Sequence, residues 1–323
     1  MPISGPSSYI PTLNEFINHW TQANASLGVA GPMVLTGGAT QAGLVALQGS
    51  LQTARDKVTD LGVDRALARE QLTALITVLQ ARLVEFNERV RADLPESPYS
   101  RVLPAAFAVG DAEGPVVGTL RSMLRLWARV DTIAAPPAGV TLPMVLQGGY
   151  DFGAFSAACT ALRDAYGLLS TNDVSLDLAR EERNDLQDEI YAILKAYRLK
   201  VPTVFPAGDA VRDSLPLLTP ASGHTPAAVA AAAVWDVPST KAKVTWAASA
   251  EADLSHYEVR GDPGDNYVSA DETVLASVAP ADAREFFTDF ALSAPGVTAG
   301  FKVYVVLHSG NERGSDPVYV TRP

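Results

Sequence analysis

The chain has 323 residues, 47% of them apolar and 19% charged, a composition that excludes disorder and collagen-like order and leaves room for two or three domains. A formal charge of −11 provides no basic surface for a phosphate backbone, so nucleic acid is not an expected partner. The single cysteine, Cys159, closes no intramolecular disulfide, and the histidines at 19, 224, 256 and 308 lack metal-ligand spacing. No stretch approaches the ~18 apolar residues of a membrane span, and Met1-Pro2-Ile3-Ser4 does not open a signal peptide. The expectation is a soluble chain without membrane insertion, cytoplasmic or exported by a route that needs no classical signal.

A first helix is expected from the capping box Thr12-x-x-Glu15, with Leu13, Phe16, Ile17 and Trp20 on one stripe. After Pro32-Met33-Val34-Leu35 and the Gly37-Gly38 break, Leu44, Leu47, Leu51, Ala54 and Val58 alternate spacings of three and four, which predicts a second helix packed along a seam. A third is predicted from about Asp64 to Arg91, charged on its outer face and stopped by a proline-containing segment.

The same pattern returns 111 residues later. Pro143-Met144-Val145-Leu146 and Gly148-Gly149 repeat the break, Leu67-Ala68-Arg69-Glu70 returns as Leu178-Ala179-Arg180-Glu181, and Leu75, Leu79, Leu83, Phe86 and Val90 return as Leu186, Ile190, Leu194, Tyr197 and Val201. Leu120, Leu124, Trp127 and Val130 form the counterpart of the first stripe, and Phe155, Ala158, Leu162, Ala165 and Leu169 that of the second. The positions kept are apolar, as for a shared buried face. The reading is two helical repeats, residues 1–110 and 111–216, in which short links make the second and third helices antiparallel and the four longest helices form one bundle.

Residues 217–227, with two prolines and a glycine, read as a linker. Beyond it the period changes to two, with strands expected at 244–246, 257–259, 267–268, 301–305 and 318–320. Val244-Thr245-Trp246, Asp253-Leu254-x-x-Tyr257-x-Val259, Gly300-Phe301-x-Val303-x-Val305 and Asn311-x-x-Gly314-Ser315 together resemble a bacterial fibronectin type III domain over 228–323. The resemblance implies a seven-stranded immunoglobulin-like β-sandwich with Trp246 and Tyr257 in its core. Phe301 stands where the family usually carries its corner tyrosine, so that corner is expected to lack the hydroxyl tie.

No residue set reads as catalytic, cofactor-binding or metal-ligating. Arg260-Gly261-Asp262 spells an adhesion tripeptide, but it reads as a solvated turn, and Asp262, Asp265, Asp271 and Glu272 read as solvated loop carboxylates without EF-hand spacing. The two Gly-Gly pairs lack the residues of a phosphate loop and read as tight turns. Arg69, Glu70, Arg180 and Glu181 read as interhelical or capping ion pairs, and Cys159 as a small core filler. The functional expectation is a non-enzymatic structural or interaction protein that assembles with itself as a ring, filament or lattice, or that contacts another protein. The alternative is a glycan- or protein-binding adhesion module on a helical stalk, which requires exposed aromatics such as Tyr267 and Tyr319.

Overall fold

The computed structural model describes residues 2–323. Among the described residues, five α-helices precede the β part: α1 (Tyr9–Leu27), α2 (Gln41–Asp93), α3 (Glu113–Asp131), α4 (Phe152–Val204) and the short α5 (Ala210–Asp213). The capping box expected at Thr12 is not used. A 3-10 turn over Pro6–Ser8 leads into α1 earlier, and the buried Thr12 hydroxyl donates to the Ser8 carbonyl within the helix.

α2 and α4 are each 53 residues long and unbroken, so the expected pair of antiparallel helices in each repeat is one continuous helix. The reason is local. Residues 59–64 contain polar types that suit a link, yet no proline removes a backbone donor there, and Val58, Leu61, Ala68 and Leu72 carry the helical period across. Gly62 costs the helix only about 1 kcal/mol relative to alanine, too little to stop it.

The chain forms two compact units whose boundary falls inside both long helices. One comprises Leu67–Asp173; the other comprises the residues up to Ala66 together with Val174–Pro323. In the Leu67–Asp173 unit, Trp127 of α3 stacks on Phe86 of α2 at 5.1 Å and on Phe155 of α4 at 5.7 Å, among Leu79, Leu83, Val90, Leu120, Met123 and Leu162. In the other unit, Trp20 of α1 stacks on Tyr197 of α4 at 4.6 Å, among Leu13, Phe16, Leu44, Leu51, Ile190 and Leu194. His19 Nε2 lies 2.7 Å from the Val211 carbonyl, so it carries the proton, and Nδ1 accepts from the Tyr197 hydroxyl at 2.7 Å. Burial lowers the pKa of this imidazole.

The β part contains β1 (Ala231–Asp236), β2 (Lys241–Trp246), β3 (Leu254–Pro263), β4 (Thr273–Val278), β5 (Glu285–Thr288), β6 (Thr298–Leu307), β7 (Glu312–Gly314) and β8 (Val318–Thr321). They pair antiparallel in two sheets, β1-β2-β5 and β4-β3-β6-β7, with β8 also on β6. Both sheets contribute to one buried cluster that includes Val244, Trp246, Tyr257, Val259, Phe301, Val303 and Val305. Residues 267–268 lie outside any strand, and β1, β4, β5 and β7 were not anticipated; β1 is alanine-rich and the others are short or interrupted by polar residues. Phe301 is fully buried without a polar tie, while Tyr257 accepts the Ser249 N–H at 2.7 Å.

Residues 217–227 have fixed partners. Leu218 is buried in the helical core and its carbonyl accepts from Ile3, the Ala221 N–H donates to Ser309, and Glu251 accepts from Ala227.

Candidate functional site: a buried arginine and carboxylate junction

β3 alternates its side chains between the two faces of its sheet. Tyr257 and Val259 enter the core, and Gly261 follows them because a Cβ there would stand 2.8 Å from the Phe290 ring. Glu258, Arg260 and Asp262 therefore share the opposite face. That face is buried too, with Arg260 1% and Asp262 5% exposed, and residues of α2 and α4 reach its neighbours Asp271, Glu272 and Thr273. The solvated turn expected for Arg260-Gly261-Asp262 is thus a buried strand, and its glycine answers to packing rather than to turn geometry. Asp271 and Glu272, also expected in solvent, are buried as well, whereas Asp265 is exposed.

Arg260 spends its guanidinium on three carboxylates. Nε and Nη2 donate to Glu258 Oε2 at 2.9 and 2.6 Å, Nη1 donates to Glu272 Oε1 at 2.7 Å, and Glu312 takes both terminal nitrogens. Its plane lies 3.7 Å from the centroid of the Tyr304 ring. A side chain at Gly314 would collide with that ring at 2.8 Å. Glu272 Oε2 accepts from the Tyr267 and Tyr304 hydroxyls at 2.8 and 2.9 Å. Burial alone would lower the pKa of Arg260, but Glu312, Glu258 and Glu272 reverse the shift upward. Burial would likewise raise Glu258, and the contacts from His256 and Arg260 bring it below its ordinary value.

The helices complete the network. Arg180 and Arg183, one turn apart on α4, grip Asp271: Arg183 Nη1 reaches Oδ1 at 2.6 Å and Arg180 Nε reaches Oδ2 at 2.7 Å. From α2, Arg55 reaches the Glu272 carbonyl at 3.4 Å, and the Thr59 hydroxyl lies 3.1 Å from that of Thr273. Burial, followed by the neighbouring Arg183 and Arg260, lowers the pKa of Arg55. A void of only about 10 Å³ remains among Arg55, Arg183, Asp271, Glu272 and Thr273. With its donors and acceptors paired and no room for a substrate, this arrangement has the chemistry of a lock.

Other candidate residues fall elsewhere. Arg180 serves the junction as well as its own helix through Asp177, and Glu181 is exposed. Gly37, Gly38, Gly148 and Gly149 all take left-handed φ values in tight loops, as a turn requires. Cys159 is buried, and burial pushes its thiol up to about 11, which removes thiolate reactivity near neutrality. Tyr267 is turned inward onto Glu272, whereas Tyr319 is exposed and its hydroxyl accepts the Tyr267 N–H, so of the two aromatics expected to be exposed only Tyr319 faces solvent. Folding also brings His224 to Glu251 and Asp253, with ligand atoms within 4.8 Å of one another, which the spacing of the histidines did not reveal. The His224–Glu251 ion pair and the Ala227 N–H account for that contact.

Among the described residues, no helix is long and apolar enough to cross a membrane. No family model and no curated protein matches the chain. Solved structures similar to it include an Fn3-like protein from Clostridium thermocellum, 20% identical over 31% of this chain and 96% of that one, with a TM-score of 0.25. They also include the pectate lyase Pel3 from Pectobacterium carotovorum, 12% identical over 29% of this chain and 27% of that one, with a TM-score of 0.24. The pectate lyase PelI from Erwinia chrysanthemi, solved with tetragalacturonic acid, is 18% identical over 29% of this chain and 28% of that one, with a TM-score of 0.24.

Proposed function

We propose that the chain is a non-enzymatic structural protein that assembles with copies of itself, built from a duplicated helical unit carrying a fibronectin type III-like sandwich. The observation that carries the reading is the buried junction. A β part fixed to its helices through Arg55, Arg180 and Arg183 offers the constant relation between distinct surfaces that repeated heterologous contacts need.

Duplication is supported by local detail. α4 begins and ends 111 residues after α2. The loop closed by Leu35 N–H on Ala39 returns as Leu146 on Tyr150, and the Met33 and Met144 N–H groups both donate to a side chain of the preceding helix, Asn24 and Asp131. The strand order β1-β2-β5 against β4-β3-β6-β7, around the Trp246 and Tyr257 core, supports the sandwich reading.

Light scattering over a concentration series tests the assembly. A charge of −11 opposes close approach at low ionic strength, so moderate salt is expected to promote association. A chain that stays monomeric at high micromolar concentration in both low and moderate salt would overturn the proposal and favour the binding-module alternative.

A further inference from the structure

Four of the five carboxylates at the junction hold a guanidinium directly: Glu258, Glu272 and Glu312 hold Arg260, and Asp271 holds Arg180 and Arg183. Asp262 differs. Buried on the same face, it accepts a hydrogen bond from the Val268 N–H at 2.7 Å and, among the described residues, makes no ion pair. We infer that Asp262 carries a proton in the folded β part, so that the fold is strengthened by acid.

The surroundings of the carboxyl decide its charge state. From the loop after β3 it faces Asp271 and Tyr267, and from the edge of β4 it faces Glu272. Arg180 of α4 is the cation nearest in effect, but its donors are taken by Asp271 and Asp177. On β6, the residue paired with Asp262 is Gly300, which brings no charge, and the Lys302 ammonium lies over the Tyr267 ring, bonded to Ser269. From α2, Gly62 meets the adjacent Pro263 without a side chain of its own. On β3 itself, the Arg260 guanidinium is committed to the three glutamates, and His256 to Ser255 and Glu258. An ionised Asp262 would therefore be a second buried anion beside Asp271 and Glu272, with one backbone N–H in compensation.

The electrostatics agree with the geometry. Burial, then Asp271 and Glu272, push this carboxyl up to about 7, against the Val268 N–H and Arg180. When the β part unfolds, Asp262 meets water, its pKa returns to an ordinary aspartate value of about 4, and the proton leaves. The folded state thus binds one more proton than the unfolded state between about pH 4 and the raised value. Its contribution to stability is full below about pH 4 and lost as pH rises through about 7.

The test is a pH series on the intact chain, following unfolding and the hydrogen exchange of β3 amides in the wild type, in Asp262→Asn and in the exposed control Asp282→Asn. The wild type and Asp282→Asn should lose up to about tenfold in the folding constant per pH unit on going from about pH 5 to pH 7, whereas Asp262→Asn should lack that component. Equal slopes in the wild type and Asp262→Asn would overturn the inference. An infrared measurement needs no variant: the wild type near pH 6 should show the carbonyl band of a protonated carboxylic acid that disappears at about pH 9. Absence of that band near pH 6 would equally overturn it.

Discussion

At the scale of single residues, the aromatics Phe86 and Tyr197 occupy matching places, each fully buried and each beneath a tryptophan. Truncating either to alanine should cost about 3–5 kcal/mol in urea unfolding, as for aromatic residues in packed cores. Tyr197→Phe separates the ring from its hydroxyl and should cost about 1 kcal/mol, because it removes only the bond to His19 Nδ1. Arg91→Ala, at an exposed position near the end of α2, should cost less than either ring truncation. A loss at Phe86→Ala as small as at Arg91→Ala would show that the repeated apolar positions do not form the cores described. These aromatics were legible in the sequence because burial repeats with the helical period. Glu258, Arg260 and Asp262 were not. Their alternation with Tyr257, Val259 and Gly261 fixes which face of the sheet they occupy, but a charged strand face ordinarily meets water, and nothing local to β3 announces the glutamates that gather on Arg260 or the helix arginines that hold Asp271 beside them.

At the scale of elements, the apolar period identified the helices and the 111-residue offset, while the continuity of α2 and α4 was hidden by polar residues that serve equally well in a link or on an exposed helix surface. Gly62 shows why one such residue is there. A Cβ at this position would lie 3.2 Å from the Pro263 ring, so the glycine allows α2 to approach the end of β3. Gly62→Val should therefore lower the melting temperature, with a loss of about 1–3 kcal/mol from overpacking. Gly49, on the same helix and exposed, has open space at its Cβ, and Gly49→Ala should stabilise the chain by about 0.5–1 kcal/mol through helix propensity. If Gly62→Val were as stabilising or as neutral as Gly49→Ala, the close approach of helix and strand would be refuted.

At the scale of the whole molecule, composition and the change of period at residues 217–227 separate helical from β sequence, and this reading treats the two parts as independent folding units. The junction adds a term that neither part contains alone. A fragment of residues 228–323 keeps both sheets and the Trp246 and Tyr257 core, so it should melt cooperatively. It loses Arg180 and Arg183, however, and leaves Asp271 without its cations beside Asp262 and Glu272. The isolated fragment should therefore melt below the β part of the intact chain, and β3 amides should exchange faster in it. Within the intact chain, Arg183→Ala should weaken the same protection, by less than the about 3–5 kcal/mol of a fully stranded buried charge because Arg180 still holds Asp271, whereas removal of an exposed partner such as Lys57 should have little effect. Equal β3 protection in the fragment, the intact chain and Arg183→Ala would mean that the buried ion network does not couple the two parts. The fixed presentation of surfaces on which the assembly proposal rests would then have no physical basis.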